Sequence, residues 1–203
     1  MIAIVDYGVG NLRSVERACQ QVGAEARVIA SPQELGPAQG VILPGVGAFG
    51  DGMACLRAAG WVPALEGWAA AGKPLLGICL GMQLLFEESE EMGRHAGLGL
   101  LPGRVVRFGS GVKVPHVGWN QVRPLRAHPL LSGVPAGAYA YFVHSYYVVP
   151  ADPTDVLAVT DYGEPFASVV GRGCILGLQF HPEKSQEVGL RMLANFAAIA
   201  AQA

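Results

Sequence analysis

The segment "PLLGICLGMQLLFEES", residues 74–89, restricts the fold more than any other stretch of this chain. An apolar run of strand length ends in Gly77-Ile78-Cys79-Leu80-Gly81, and helix-forming residues follow with no linker. A strand that turns at once into a helix belongs to a βα unit, whose helix crosses back over a parallel sheet. Small residues on either side of Cys79 are what a sharp turn with a strained central residue requires. The thiol then stands at the C-terminal edge of the sheet, and the following helix N-terminus favours its thiolate. A buried cysteine in a tight turn is the plainer reading of such a residue, and it is the one adopted for Cys19, Cys55 and Cys174.

The rest of the chain agrees with a βα architecture. Residues 2–5, 25–30 and 40–45 read as strands. Between Asn11, a candidate N-cap, and Gly23, a candidate C-cap, Leu12, Val15, Ala18, Cys19 and Val22 recur at helical spacing. Helical patterning returns over residues 51–71, interrupted near Gly60 and Pro63, and residues 82–89 begin another helix. Strands alternating with helices predict an α/β fold with an open, mainly parallel central sheet flanked by helices. From 103 to 177, short β-like runs separated by Gly and Pro predict an antiparallel β extension, and the last run, 174–180, rejoins the main sheet. A closing helix over about 186–200 would turn Val188, Leu190, Leu193, Phe196 and Ile199 inward. Without repeats or linkers, the expectation is one domain over residues 1–203.

A second chemical motif lies a hundred residues after Cys79. In "LGLQFHPEKS", residues 176–185, Leu176, Leu178 and Phe180 alternate as in a half-buried strand, which ends on an imidazole and a carboxylate. Pro182 keeps His181 extended, and in an extended chain residues two apart share a side, which places Glu183 beside His181. A base with an orienting carboxylate serves a nucleophile, so the strand carrying His181 must neighbour the strand carrying Cys79. Lys184 either tunes that site or is a solvated surface lysine.

Bulk properties remove several function classes. A net charge of −2 gives no polybasic footprint for nucleic acid. No apolar stretch approaches the roughly 20 residues that span a bilayer, and "MIAIVDYG" has no basic region of a signal peptide. The four cysteines form no CxxC pair and have no histidine at ligand spacing, so neither a metal site nor a disulfide framework is expected. The expectation is a cytoplasmic protein without cofactor or metal.

"GICLGMQ" followed at a distance by "FHPE" resembles the triad (class I) glutamine amidotransferases, over nearly the whole chain. The resemblance implies a class I glutamine amidotransferase fold with a flavodoxin-like core, and L-glutamine as substrate. It makes Cys79 the nucleophile, His181 the general base and acid, and Glu183 the orienter of the imidazole. Ammonia leaves from a glutamyl thioester that water then cleaves. "LPGVGAFGDGM", residues 43–53, matches the family's glycine-rich oxyanion segment, implying a hole made by the Val46–Gly47 backbone with the Leu80 N–H. By the same resemblance Gly45, Gln83, Glu91, His144, Ser145 and Tyr146 contact the substrate. Taken alone, Gln83 and Glu91 would be polar residues on a helix surface.

Four segments narrow the resemblance: "IAIVDYGVGNLRSV", "PGVGAF", "VPHVGWN" and "HPEKS" together are similar to the glutaminase subunits of imidazole glycerol phosphate synthases. Each has a plainer reading. Gly8-Val9-Gly10-Asn11 could be a simple turn, His116 and Trp119 core residues, and Tyr141, His144, Tyr146 and Tyr147 a core edge or an interface. The resemblance implies a (β/α)8-barrel cyclase partner in a heterodimer, which receives the ammonia, with Asn11, Trp119, Tyr141 and Lys184 as interface candidates. It also implies low glutaminase activity until the partner binds its substrate, through a backbone rearrangement at 44–47. The glutaminase elements use the whole chain, and ammonia released to water at neutral pH becomes mostly ammonium, which also requires a docked acceptor. Open alternatives are a subunit of the anthranilate or aminodeoxychorismate type and a non-catalytic, flavodoxin-like regulatory subunit.

Overall fold

Short uncharged runs of Val, Ile and Leu become central parallel strands because helices cover both of their faces. In the computed structural model, which describes residues Met1–Ala203, the first part of the chain runs β1 (Ile2–Val5), α1 (Leu12–Gln21), β2 (Ala26–Ile29), β3 (Gly40–Leu43), α2 (Phe49–Ala58), α3 (Trp61–Ala70), β4 (Leu75–Ile78) and α4 (Leu80–Leu84). It continues through β5 (Phe86–Ser89), β6 (His95–Ala96), β7 (Leu101–Arg107), β8 (His116–Pro124), β9 (Ala138–His144), β10 (Tyr146–Pro150), β11 (Val156–Tyr162), β12 (Glu164–Arg172), β13 (Ile175–Leu178) and α5 (Gln186–Ala201). No helix is long and apolar enough to cross a membrane.

One nine-stranded sheet has the order β2-β1-β3-β4-β13-β12-β11-β8-β9. Its first five strands are parallel and the remainder antiparallel. β1, β3, β4 and β13 are buried at every position. Because these four run the same way, residues 6–8, 44–47, 79 and 179–183 all emerge along one edge. Carboxyl ends of parallel strands are where open α/β sheets bind ligands.

The helices follow their sequence signals with local differences. Asn11 sits at the N-cap of α1, but its side chain makes no capping bond. Gly23 takes the left-handed φ of 78° that ends α1. Gly60, at φ 72°, separates α2 from α3. Pro63 does not interrupt; it lies in the first turn of α3, where a missing N–H costs nothing. Trp61 is fully buried, and its indole donates to the Asp6 carbonyl at 3.1 Å, which anchors the loop after β1. In α5 the core stripe is Met192, Leu193, Phe196 and Ala200, while Val188, Leu190 and Ile199 are only half-buried at its flanks.

The helix expected over 82–89 is corrected: α4 is one turn, and Phe86–Ser89 is a strand. β5 pairs with β7 and β6 in a second sheet ordered β10-β7-β5-β6. That pairing overrides the helical propensity of "QLLFEE". The long run 138–149 also divides at Ser145, sending β9 to the main sheet and β10 to the second. β8 starts at His116.

Candidate active site

Cys79 adopts φ 55°, ψ −112°, a conformation that costs a non-glycine residue about 1–3 kcal/mol. Packing over-determines it. A Cβ on Gly77 would lie 2.6 Å from the Met82 backbone, and one on Gly81 would lie 1.8 Å from the Leu43 carbonyl oxygen. Both glycines therefore exist for close backbone approach, not only for turn flexibility. The Cys79 N–H donates to Leu178 O at 2.7 Å, tying the elbow to β13. With α4 only one turn long, the helix dipole expected to favour the thiolate contributes little.

β13 neighbours β4 in parallel register, Leu178 opposite Ile78, which meets the topological requirement on the strand that carries His181. His181 is extended, with φ −94° and ψ 100°. Residues Pro182–Lys184 then form a 3-10 turn, and this turn brings Glu183 round to His181, correcting the expectation of a continuing extended chain. His181 Nδ1 and Glu183 Oε1 are 2.9 Å apart, with both side chains sealed from solvent. Burial by itself lowers the basicity of His181, but the Cys79 sulfur and the Glu183 carboxylate outweigh it and hold the imidazole up at about 10. His181 Nε2 and Glu183 Oε2 have no partner within the protein. The His181 N–H donates to Tyr141 O at 3.0 Å, and Ser185 Oγ accepts from Tyr141 N at 2.9 Å.

A cleft of about 330 Å³ opens over these groups. Cys79, His181, Val46, Gly47 and Leu80 line it, with Gln83, Glu91, His144, Ser145 and Tyr146 completing the walls. Pro115 and Val143 also line it, which the sequence did not suggest. The N–H groups of Val46 and Gly47 make no hydrogen bond within the protein, and Leu80 opens α4. Gly45, expected to contact the substrate, is not among the residues that line the cleft. It is buried against the elbow, where a Cβ would meet the Tyr7 hydroxyl at 2.6 Å and Gly81 N at 2.9 Å. Tyr7, also unanticipated, donates its hydroxyl to Pro44 O at 2.8 Å, and burial keeps that hydroxyl protonated.

Gln83 and Glu91 are not helix-surface residues. Glu91 follows β5 and accepts from the Phe49 N–H at 2.7 Å, at the start of α2. Gln83 is buried inside a polar chain whose directions can be assigned. Tyr146 O can only accept, so His144 Nδ1, 2.8 Å away, carries a proton, and so does Gln83 Nε2 at 2.9 Å. His144 Nε2 then accepts from His116 Nδ1 at 3.2 Å, and His116 Nε2 accepts from Asn120 Nδ2 at 3.2 Å. Burial lowers both histidines, His116 to about 4 and His144 to about 3, so both are neutral. Gln83 Nε2 also donates to Gln179 Oε1 at 3.1 Å.

Three interface candidates cluster outside the cleft. Trp119, 47% exposed, packs edge-on against Tyr141 with ring centroids 6.0 Å apart, and Lys184 Nζ lies 5.9 Å over the Tyr141 ring. Asn11 is at the start of α1, the helix that packs against the Pro182–Lys184 turn. Val117, Tyr139 and Val143 extend the exposed apolar surface of β8 and β9. A roomier groove of about 620 Å³ beside α5 offers Glu187 and Arg191 but no nucleophile, so the chemistry assigns the site to the smaller cleft.

The family profile "Glutamine amidotransferase class-I" matches residues 3–200. The chain is 56% identical over 196 residues to "Imidazole glycerol phosphate synthase subunit HisH" of Desulfitobacterium hafniense (strain DSM 10664 / DCB-2), covering 97% of this chain and 93% of that protein. It is 54% identical over 202 residues to the protein of the same name from Halobacterium salinarum, covering 96% and 91%. Among solved structures, one titled "Crystal structure of glutamine amidotransferase" superposes with a TM-score of 0.77 at 21% identity, covering 98% of this chain and 100% of that one. PurLQS from Thermotoga maritima gives a TM-score of 0.76 at 22% identity, covering 99% and 96%. At those identities the structures speak to the fold alone.

Proposed function

The chain belongs to the class-I glutamine amidotransferase family, and from that premise we propose that Cys79, His181 and Glu183 release ammonia from L-glutamine in the 330 Å³ cleft. It acts as the glutaminase subunit of an imidazole glycerol phosphate synthase, in histidine biosynthesis. The observation that carries the catalytic roles is the left-handed Cys79 on β4 facing the same cleft as a buried His181–Glu183 pair from adjacent β13.

In this mechanism the Cys79 sulfur adds to the side-chain amide carbon of glutamine, and the negative charge that develops on oxygen is received by N–H groups of Val46, Gly47 and Leu80. With its imidazole held at about 10, His181 is protonated at neutral pH and lines the same cleft as the Cys79 sulfur. It therefore starts as the acid and gives its Nε2 proton to the departing nitrogen. The C–N bond breaks and ammonia leaves a glutamyl thioester. Neutral His181 then takes a proton from water as that water attacks the thioester, releasing glutamate, the free Cys79 sulfur and a protonated imidazole. Glu183 holds Nδ1–H throughout and does not itself need to titrate. Gln83 spends its amide N–H groups inside the protein, leaving Oε1 as an acceptor for a substrate N–H.

The ammonia acceptor is a (β/α)8-barrel cyclase that docks over the Trp119, Tyr141 and Lys184 surface. The exposed aromatics support this, as does the backbone bond that joins Tyr141 directly to His181. Partner binding raises glutaminase turnover by reorienting the 44–47 backbone. Val46 is 44% exposed, and Gly47, at φ 100°, has open space around it. The test is modification by an electrophilic glutamine analogue in the partnered complex, read out by peptide mass. Labelling confined to Cys79 is expected; a fully active complex with Cys79 unlabelled would sink the assignment. Equal glutamine turnover by the isolated chain and by the substrate-loaded complex would remove the activation step.

A further inference from the structure

Gln179 is fully buried between the site's two halves, and nothing in the family motif or the cleft lining gives it a duty. Its backbone N–H is held by Ser168 O at 3.0 Å, and the residue before it, Leu178, accepts from the Cys79 N–H. A buried side-chain amide is costly to desolvate, and a leucine would fill the same space more cheaply unless the amide's direction matters.

That direction is set from outside. Tyr146 O takes one Gln83 Nε2 proton, so the second must go to an acceptor, which is Gln179 Oε1 at 3.1 Å. With Oε1 committed to Gln83, the Gln179 amide can present only its N–H₂ end toward Cys79, and Nε2 lies 3.9 Å from the sulfur. Gln83 cannot reverse without facing its oxygen to the Tyr146 carbonyl. The ordered chain therefore ends on a donor pointed at the reacting atom. A donor there favours the anionic sulfur over the thiol, which is only a weak acceptor. His181 also favours negative charge at the sulfur, and the Tyr7 hydroxyl, committed to Pro44 O, does not reach it as a donor.

We propose that Gln179 is a catalytic residue of this site: its amide N–H hydrogen-bonds and stabilises the Cys79 thiolate, while its Oε1 fixes the substrate-facing Gln83. The inference rests on Cys79 being the nucleophile. Gln83 and Gln179 thus act as one unit, with Tyr146 O as its fixed point.

The test compares iodoacetamide alkylation of the full chain in wild type, Gln179→Met and Gln179→Glu. The rate at Cys79 is read by peptide mass at pH 7 and pH 10, and folding is checked by thermal melts. In Gln179→Met the Cys79 rate should fall about tenfold at pH 7 and converge on wild type at pH 10, above the ordinary thiol pKa of about 8.5, where a stabilising donor gives the least advantage. Gln179→Glu, with a carboxylate facing the sulfur, should fall further at pH 7 and stay low. Gln179→Asn, which keeps the amide but withdraws it by one methylene, serves if the methionine variant does not fold, and should show the same pH-dependent slowing. Folded Gln179→Met or Gln179→Asn that alkylates at the wild-type rate, or that slows equally at both pH values, overturns the inference, as does a folded Gln179→Glu that recovers the wild-type rate at pH 10. Failure of wild-type Cys79 to alkylate at either pH overturns the nucleophile reading beneath it.

Discussion

Two glycine-bearing turns meet at the same sheet edge and are built in opposite ways. At the elbow, a Cβ on Gly81 would strike the Leu43 carbonyl at 1.8 Å, and Cys79 is locked between β4 and β13. In the segment proposed to form the oxyanion hole, a Cβ on Gly47 would meet nothing within 4 Å, and neighbouring Val46 is 44% exposed. The difference separates two tasks. A nucleophile, base and orienter need fixed geometry, which dense packing supplies. A segment that must turn its N–H groups toward substrate needs freedom, which dense packing would remove.

The strongest challenge to this contrast is Gly81→Ala, which should cost about 3–5 kcal/mol, because backbone must move to relieve the clash. A urea midpoint close to wild type would show that the elbow is not locked. Glu183→Gln should keep the fold but lower glutaminase kcat by about 10⁴, since it removes only the charge that holds and stabilises the imidazolium. Gly47→Ala is the informative counterpart to Gly81→Ala. It should cost about 1–2 kcal/mol for the left-handed conformation and lower kcat about 10- to 100-fold. A stability loss matching that of Gly81→Ala would erase the contrast.

The histidines sharpen it through pH. His116 and His144 are held neutral in the fold, to about 4 and 3, so the unfolded chain binds protons that the native state refuses. Their contribution is present above about pH 6.5 and is lost progressively as pH falls to about 4 and below. His181 has the opposite sign: its contribution is complete below about 6.5 and is lost as pH rises through about 10. Urea midpoints measured from pH 4 to 10 should decline at both ends, and Cys79→Ala should flatten the alkaline decline alone. The smallest effect on the isolated chain is expected from Trp119→Ala, within about 0.5 kcal/mol of wild-type stability. The same change should weaken binding of a barrel cyclase at least tenfold, as loss of an aromatic anchor does.

Legibility followed the range of the interactions. The elbow could be read because Gly77, Cys79 and Gly81 are contiguous and their geometry is local. His181 and Glu183 could be paired because they are two residues apart, although the 3-10 turn that joins them was not foreseen. The helix assigned to 82–89 was wrong beyond Leu84 because pairing with β7, a distant strand, outweighed local propensity. The close packing of Gly45 against Tyr7 and Gly81 is not legible in the motif, because it joins segments far apart in sequence.

By itself, the sequence determined the α/β class, the strand–cysteine–helix turn and the histidine–carboxylate pair, because each is written in adjacent residues and their steric limits. The tertiary structure alone decided which amide points at the sulfur, which tautomers His116 and His144 hold, and which glycine is locked and which is free. Those follow from contacts between Gln83 and Gln179, His116 and His144, and Gly81 and Leu43, which lie far apart in sequence. No local pattern records such contacts, since they form only when strand pairing brings distant backbones to within a few ångströms.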